Sequence, residues 1–278
     1  MAELNIFARH EIKYLIDYDQ RKFVESVIAQ HMNPDPHGQS TICNIYFDTP
    51  DYRLIRHSLE KPIYKEKLRM RSYGQVESGD KVFLELKKKY DGIVYKRRIE
   101  LPERTAMAFI SGKVKNSSSL WLTDKQDIQI AKELQYARDF YQDLAPRVHL
   151  SYDRCAYFAK DDPNIRLTFD RNIRWRPEDL SLTAAPGGAK LLDRGYSLME
   201  LKTSMGLPMW MVDMLNKGGM KDAHLTGVKT TNLGSLNKLT YDIVLKNQGT
   251  EKKLIDDLRV RNGNLEISVS LPMGESLL

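Results

Sequence analysis

Lys65, Lys67, Arg69 and Arg71 occupy every second position of the stretch IYKEKLRMRSY at residues 63–73. That spacing belongs to an extended chain, whose successive side chains point to opposite faces, so four cations share one face of a strand. The pattern returns in Arg9, Glu11 and Lys13, in Glu85, Lys87 and Lys89, in Lys96, Arg98 and Glu100, and in Arg166, Thr168 and Asp170. Glu200 and Lys202 complete the series. A chain with so many charged strand faces either turns them to water, as antiparallel sheets commonly do, or turns them inward.

Strands are predicted over 4–16, 41–48, 63–73, 81–90, 93–101, 147–158, 164–174 and 195–203, where β-branched, aromatic and charged residues alternate. Asp91-Gly92 marks a hairpin between two of them. Amphipathic helices are predicted in between. One starts at an Asp19 cap, carries Phe23, Val24, Val27 and Ile28, and ends before a Pro34–Gly38 loop. Others run from Pro50 to Leu59, over 125–144, from Pro208 to Lys217 and over 233–247. Residues 178–194, with Pro186-Gly187-Gly188, read as an irregular connection. No long linker or repeat divides the chain, which implies one domain over 1–248 and a C-terminal tail over 249–278.

The helices decide which way the charges face. They can cover the apolar strand faces from outside, leaving the charged faces inside an α+β fold. An antiparallel barrel of about eight strands has an interior just wide enough for side chains or one small ligand. Lining it with Arg and Lys leaves positive charge that is costly to bury unless an anion enters. Arg forks match phosphate oxygens, and the few interior carboxylates suit a hard divalent cation that bridges phosphates. The implied ligand is a triphosphate or a longer polyanion with a metal.

Composition narrows the alternatives. Of 278 residues 41% are hydrophobic, enough to bury a core, which excludes wholesale disorder. The net charge of +6 is mild and no basic run exceeds Lys87-Lys88-Lys89, so no nucleic acid is expected as partner. No apolar stretch is long enough to insert in a bilayer, and the first residues show no signal-peptide pattern. Cys43 and Cys155 are the two cysteines, so no disulfide framework exists. A cytoplasmic protein is expected, with peripheral placement at a membrane left open.

Six segments in order carry a resemblance: RHEIKY at 9–14, YFDT at 46–49, KLRMRSYG at 67–74, FLELK at 83–87, SYDR at 151–154 and MELK at 199–202. Together, over residues 4–245, they resemble the VTC domain, the polyphosphate polymerase domain of the vacuolar transporter chaperone, in its bacterial form. That domain belongs to the triphosphate tunnel metalloenzymes, which are CYTH-like. The resemblance implies an antiparallel eight-stranded β-barrel, a triphosphate tunnel, with helices packed outside. It implies catalytic tunnel cations at Lys13, Arg69, Arg71, Lys87, Arg154 and Arg166. Arg9, Lys202 and Lys229 join them in phosphate binding. The metal-holding glutamate maps onto Glu200, with Glu85 and Glu11 as further interior carboxylates, for Mn²⁺ or Mg²⁺.

Two departures stand out. Arg9 replaces the first carboxylate of the ExExK motif of CYTH members, which shifts the balance toward a longer anion. Gly227-Val228-Lys229-Thr230 stands where the family carries Ser-Lys-Tyr. Eukaryotic members also carry a phosphate-sensing domain and membrane helices not seen here, so coupled translocation of product would involve a separate membrane protein or not occur. Among other residues, Asp170 reads as a partner of Arg166, and Tyr46 and Asp48 as structural, Asp48 capping the next helix.

The activity implied is transfer of the ATP γ-phosphoryl group onto phosphate or polyphosphate. Hydrolysis of tripolyphosphate or a nucleoside triphosphate is the alternative on the same fold, and a non-catalytic polyphosphate-binding module a third. An open-ended tunnel favours synthesis and a plugged one hydrolysis.

Overall fold

The structure, a computed structural model, describes residues 10–60, 62–91, 93–203, 206–220, 228–233 and 236–241. Strand β1 (His10–Ile16) leads into helix α1 (Tyr18–His31), followed by β2 (Met32–Asp48) and α2 (Arg53–Leu59). A meander of β3 (Tyr64–Tyr73), β4 (Lys81–Tyr90) and β5 (Ile93–Pro102) precedes α3 (Glu103–Ile110) and α4 (Lys125–Tyr141). Next come β6 (Ala145–Ala159), β7 (Arg166–Arg176), the two-residue β8 (Ala189–Lys190) and β9 (Ser197–Thr203). Helix α5 (Met209–Lys217) and a hairpin of β10 (Val228–Leu233) and β11 (Leu236–Tyr241) follow.

The fold is α+β. Eight strands form one antiparallel path in the order β1-β9-β7-β6-β2-β3-β4-β5, and β8 adds to β7. Alternation sorts every strand into two faces. One face is apolar and lies under the helices. Ile45 and Phe47 of β2, Leu68 and Met70 of β3, and Leu84 and Leu86 of β4 pack with Phe109 of α3 and Leu134 of α4. Tyr14 and Ile16 of β1, Leu167 and Phe169 of β7, and Met199 and Leu201 of β9 pack with Ile28 of α1 and Met211 of α5. The charged residues between them have only the opposite, concave face to occupy.

Local chemistry sets the helix starts. Asp17, not Asp19, caps α1: its side chain accepts from the Gln20 amide at 2.9 Å, and the Gln20 side chain accepts from the Asp17 amide at 3.1 Å. This reciprocal box satisfies two orphan donors at once. Asp48 caps α2 as expected, its carboxylate accepting from the amides of Leu54 (2.8 Å) and Ile55 (3.0 Å).

Three expectations change. The Pro34–Gly38 stretch belongs to the long strand β2, where the register with β6 shifts between Pro34 and Gln39. Residues 236–241 are a strand, not a helix; Leu233 pairs with Leu236 across the hairpin, and cross-strand pairing overrides helical spacing in so short a segment. Finally, the sheet is open, not a closed barrel. Twist accumulated over eight strands curls it, but closure also needs a matching register at the seam, and among the described residues no ladder joins β1 to β5. The result is a trough: Lys87 on β4 senses Glu11 and Lys13 of β1 and Lys202 of β9 electrostatically. The expected tail over 249–278 lies outside the described residues.

Candidate functional site

Four clusters line the trough. In the first, β1 and β9 pair Lys13 with Glu200 and Glu11 with Lys202. The Lys13 ammonium lies 2.9 Å from Glu11 Oε1 and 2.9 Å from Glu200 Oε2, while the Lys202 ammonium contacts Glu200 Oε1. Burial of Glu200 would raise its pKa, but the Lys202 and Lys13 ammonium groups overcome this and hold it at about 2. The same carboxylates raise the Lys13 pKa against the lowering effect of burial.

The second cluster centres on Glu85 of β4, 1% exposed. Arg69 Nε donates to its Oε2 at 2.5 Å, and the Lys96 ammonium stands 2.7 Å from its Oε1. Burial pushes this carboxyl up, yet Arg69 and then Lys96 bring it down to about 2. Arg69 Nη1 donates to the Tyr46 hydroxyl at 3.3 Å, and that guanidinium lowers the phenol pKa in spite of burial. In the third cluster Arg154 of β6 grips Asp170 of β7 with two parallel bonds, Nε to Oδ1 at 2.6 Å and Nη2 to Oδ2 at 2.7 Å. In the fourth, Arg71 Nε donates to Asn44 Oδ1 at 2.9 Å and Nη2 donates to the Tyr152 hydroxyl at 3.4 Å. Asn44 is fully buried and anchors itself through Nδ2 on the Leu150 carbonyl at 3.3 Å.

Each of the three guanidinium groups is held along its Nε edge, which leaves the remaining N–H groups for bidentate contact with an oxyanion. Arg71, Lys87 and Arg166 have no carboxylate partner among the described residues. Burial holds the Lys87 pKa down. A cavity of about 190 Å³ opens on this face between Arg154, Arg166, Lys202, Thr168, Ser40 and Tyr73. Toward one end the character changes. Ile42, Tyr152 and Ile173 form a small apolar cluster with Leu150, Leu192 and Leu198, and Ile42 also borders the cavity.

Lys13, Arg69, Arg71, Lys87, Arg154, Arg166 and Lys202 therefore share the concave face. Arg9 lies outside the described residues, and Lys229 sits on β10 opposite Thr240, its side chain not described. The carboxylates do not gather as expected. Among the described residues no three His, Cys, Asp or Glu side chains come together. Glu85 is drawn off by Arg69 and Lys96, while the Lys13 ammonium bridges Glu11 and Glu200. Asp170 pairs with Arg154, not Arg166, because Arg154 stands opposite it in the β6–β7 ladder. Asn44, Tyr46 and Tyr152 went unrecognised as site residues. Each stands at strand spacing of two on a face that also holds a cavity residue or another site residue, and that spacing was the available signal.

Subunit 4 of the vacuolar transporter chaperone complex of Trypanosoma brucei brucei is 24% identical over 255 residues, which span 76% of this chain and 32% of that protein. The Schizosaccharomyces pombe subunit 4 is 25% identical over 195 residues, 62% of this chain and 27% of that protein. The chain thus matches about a third or less of each relative's length. Among solved structures, a candidate adenylyl cyclase from Hippeastrum with a dominant triphosphatase activity has a TM-score of 0.44 at 16% identity, covering 76% of this chain and 87% of that one. A candidate adenylate cyclase from Bacillus halodurans has a TM-score of 0.44 at 15% identity, covering 82% and 95%. The VTC domain model matches residues 8–226, which include every cluster of the trough, and the chain belongs to the VTC domain family.

Proposed function

We propose that this chain transfers the γ-phosphoryl group of ATP onto phosphate or polyphosphate held in the trough. One observation carries the reading: a concave face on which, among the described residues, Arg71, Lys87 and Arg166 remain without carboxylate partners while Arg69 and Arg154 are held in fixed orientation by Glu85 and Asp170. An excess of buried positive charge is costly unless an anion neutralises it. Arg69, Arg71 and Arg154 orient phosphate oxygens with their free edges. Lys87 adds a point charge opposite Lys13 and Lys202. Phosphoryl transfer depends mostly on such positioning and charge neutralisation, so no side-chain nucleophile is required.

Glu11 and Glu200 fit a divalent cation such as Mn²⁺ or Mg²⁺, because the structure already places a cation, the Lys13 ammonium, between them. Carboxylate oxygens suit such a hard ion, which when bound would neutralise phosphate charge and orient its oxygens. The named relatives are subunits of a complex. A membrane protein that collects the product is the partner this reading implies. Cytoplasmic placement against such a partner completes the reading.

The apolar cluster of Ile42, Tyr152 and Ile173 favours a second reading, hydrolysis of a short triphosphate, since an anion would not pass it. Incubation with ATP and Mn²⁺ separates the two. A polyphosphate ladder on a gel, lost in Glu200→Ala and Lys87→Ala, supports the polymerase. Free phosphate without a ladder supports the triphosphatase, and neither product overturns both.

A further inference from the structure

The three clamped arginines of the trough are held by partners of different charge. Glu85 neutralises Arg69 and Asp170 neutralises Arg154, each through a contact to Nε. Arg71 receives the same grip from an amide and a phenol, Asn44 Oδ1 at 2.9 Å and Tyr152 Oη at 3.4 Å. Tyr152 also places its ring under the Arg154 guanidinium, 5.1 Å from centroid to Cζ, so one side chain steers two cations. Asn44 has no freedom to do otherwise: it is fully buried, and its amide nitrogen is fixed on the Leu150 carbonyl.

We propose that Asn44 is a positioning residue that fixes Arg71 without neutralising it, making Arg71 the one of the three clamped guanidinium groups with the strongest pull on a phosphate chain. A carboxylate in that place would give the same orientation and cancel the charge. Neutral clamping keeps the orientation and leaves Arg71 without a carboxylate at ion-pair distance among the described residues, so more of its positive charge remains for a phosphate oxygen. The inference rests on the trough being the phosphate-binding face and assigns the charge distribution within it.

Exchanging the clamps tests this by calorimetric titration of inorganic tripolyphosphate without metal, on proteins whose folding is checked by circular dichroism. Asn44→Asp is expected to weaken binding about tenfold and to flatten its dependence on ionic strength. Asn44→Thr, which removes the clamp without adding a charge, is expected to weaken binding less than Asn44→Asp and to keep the parent's dependence on ionic strength. The reciprocal exchange, Asp170→Asn, frees the charge of Arg154 while keeping an acceptor for Nε, and is expected to tighten binding several-fold. A purely structural role for Asn44 would weaken Asp and Thr variants alike and leave Asp170→Asn no tighter, and that result would overturn the proposal. Should Asn44→Asp fail to fold, Asp170→Asn decides alone. A parent protein that binds no tripolyphosphate overturns the trough reading and this one with it, whereas a parent that binds and variants that match it overturn this one only.

Discussion

Lys13 and Glu200 face each other across the β1–β9 ladder, with the ammonium nitrogen 2.9 Å from Oε2, and the same nitrogen stands 2.9 Å from Glu11 Oε1. The chain thus carries its own cation between the two carboxylates proposed to hold a metal. A divalent ion and this ammonium compete for the same oxygens, and a Lys13 released from them is free to turn to phosphate. Lys13→Met is therefore expected to raise Mn²⁺ affinity about tenfold in titrations without nucleotide, and to lower tripolyphosphate affinity. Unchanged Mn²⁺ affinity would count against a metal at Glu11 and Glu200.

Among the described residues Glu85 is the sole carboxylate against both Arg69 and Lys96. Removing one member of a buried ion cluster leaves the others uncompensated, at a cost of about 3 kcal/mol. Glu85→Gln should lower stability in urea by that order and should regain much of it when tripolyphosphate is added, more than the parent gains. A variant that loses stability but gains nothing extra from the anion would show that Glu85 only packs.

His149 on β6 is fully buried, and neither ring nitrogen has a hydrogen-bond partner. Burial, reinforced by Arg176, lowers its pKa from 6.5 to about 4. The folded form binds the proton more weakly than the unfolded chain. The neutral ring's contribution is therefore present above pH 6.5 and is lost as pH falls from 6.5 toward 4, in total about 3 kcal/mol. His149→Leu should flatten the pH dependence of urea stability in that window. Curves that stay parallel would place the acid sensitivity elsewhere, for instance in Glu85 and Glu200, whose contributions are lost only from 4.5 toward 2.

The strands of the trough were legible because side-chain period two survives any tertiary context in which one face is buried. Lys65 to Arg71 and Glu85 to Lys89 announce both the strands and the face. What a single strand cannot reveal is which residue lies opposite it. The ladder that sets Arg154 against Asp170, and Glu85 opposite Arg69 and diagonal to Lys96, depends on strand order and register. Glu85 stands with Arg69 and Lys96 instead of beside Glu11 and Glu200 for that reason. Asn44 and Tyr152 were hidden differently: an uncharged residue on a strand face reads as packing until the arginine that it orients is known to be beside it.

The apolar cluster bears on how long an anion the trough accepts. Leu198 lies two residues from Glu200 on β9, and Leu192 is brought against it by the irregular connection that follows β8. A phosphate chain that reached Ile42, Ile173 and these leucines would exchange water and cations for hydrocarbon, an unfavourable transfer for a charge. Affinity should therefore rise from pyrophosphate to tripolyphosphate and then level off with chain length, read by competition against a labelled tripolyphosphate. Leu198→Ser with Leu192→Ser should move the plateau to longer chains while leaving tripolyphosphate affinity within about threefold, since neither leucine belongs to a cation cluster. A parent protein whose affinity climbs steadily to long polyphosphate would mean that the chain passes the cluster, and would return the balance to synthesis through an open end.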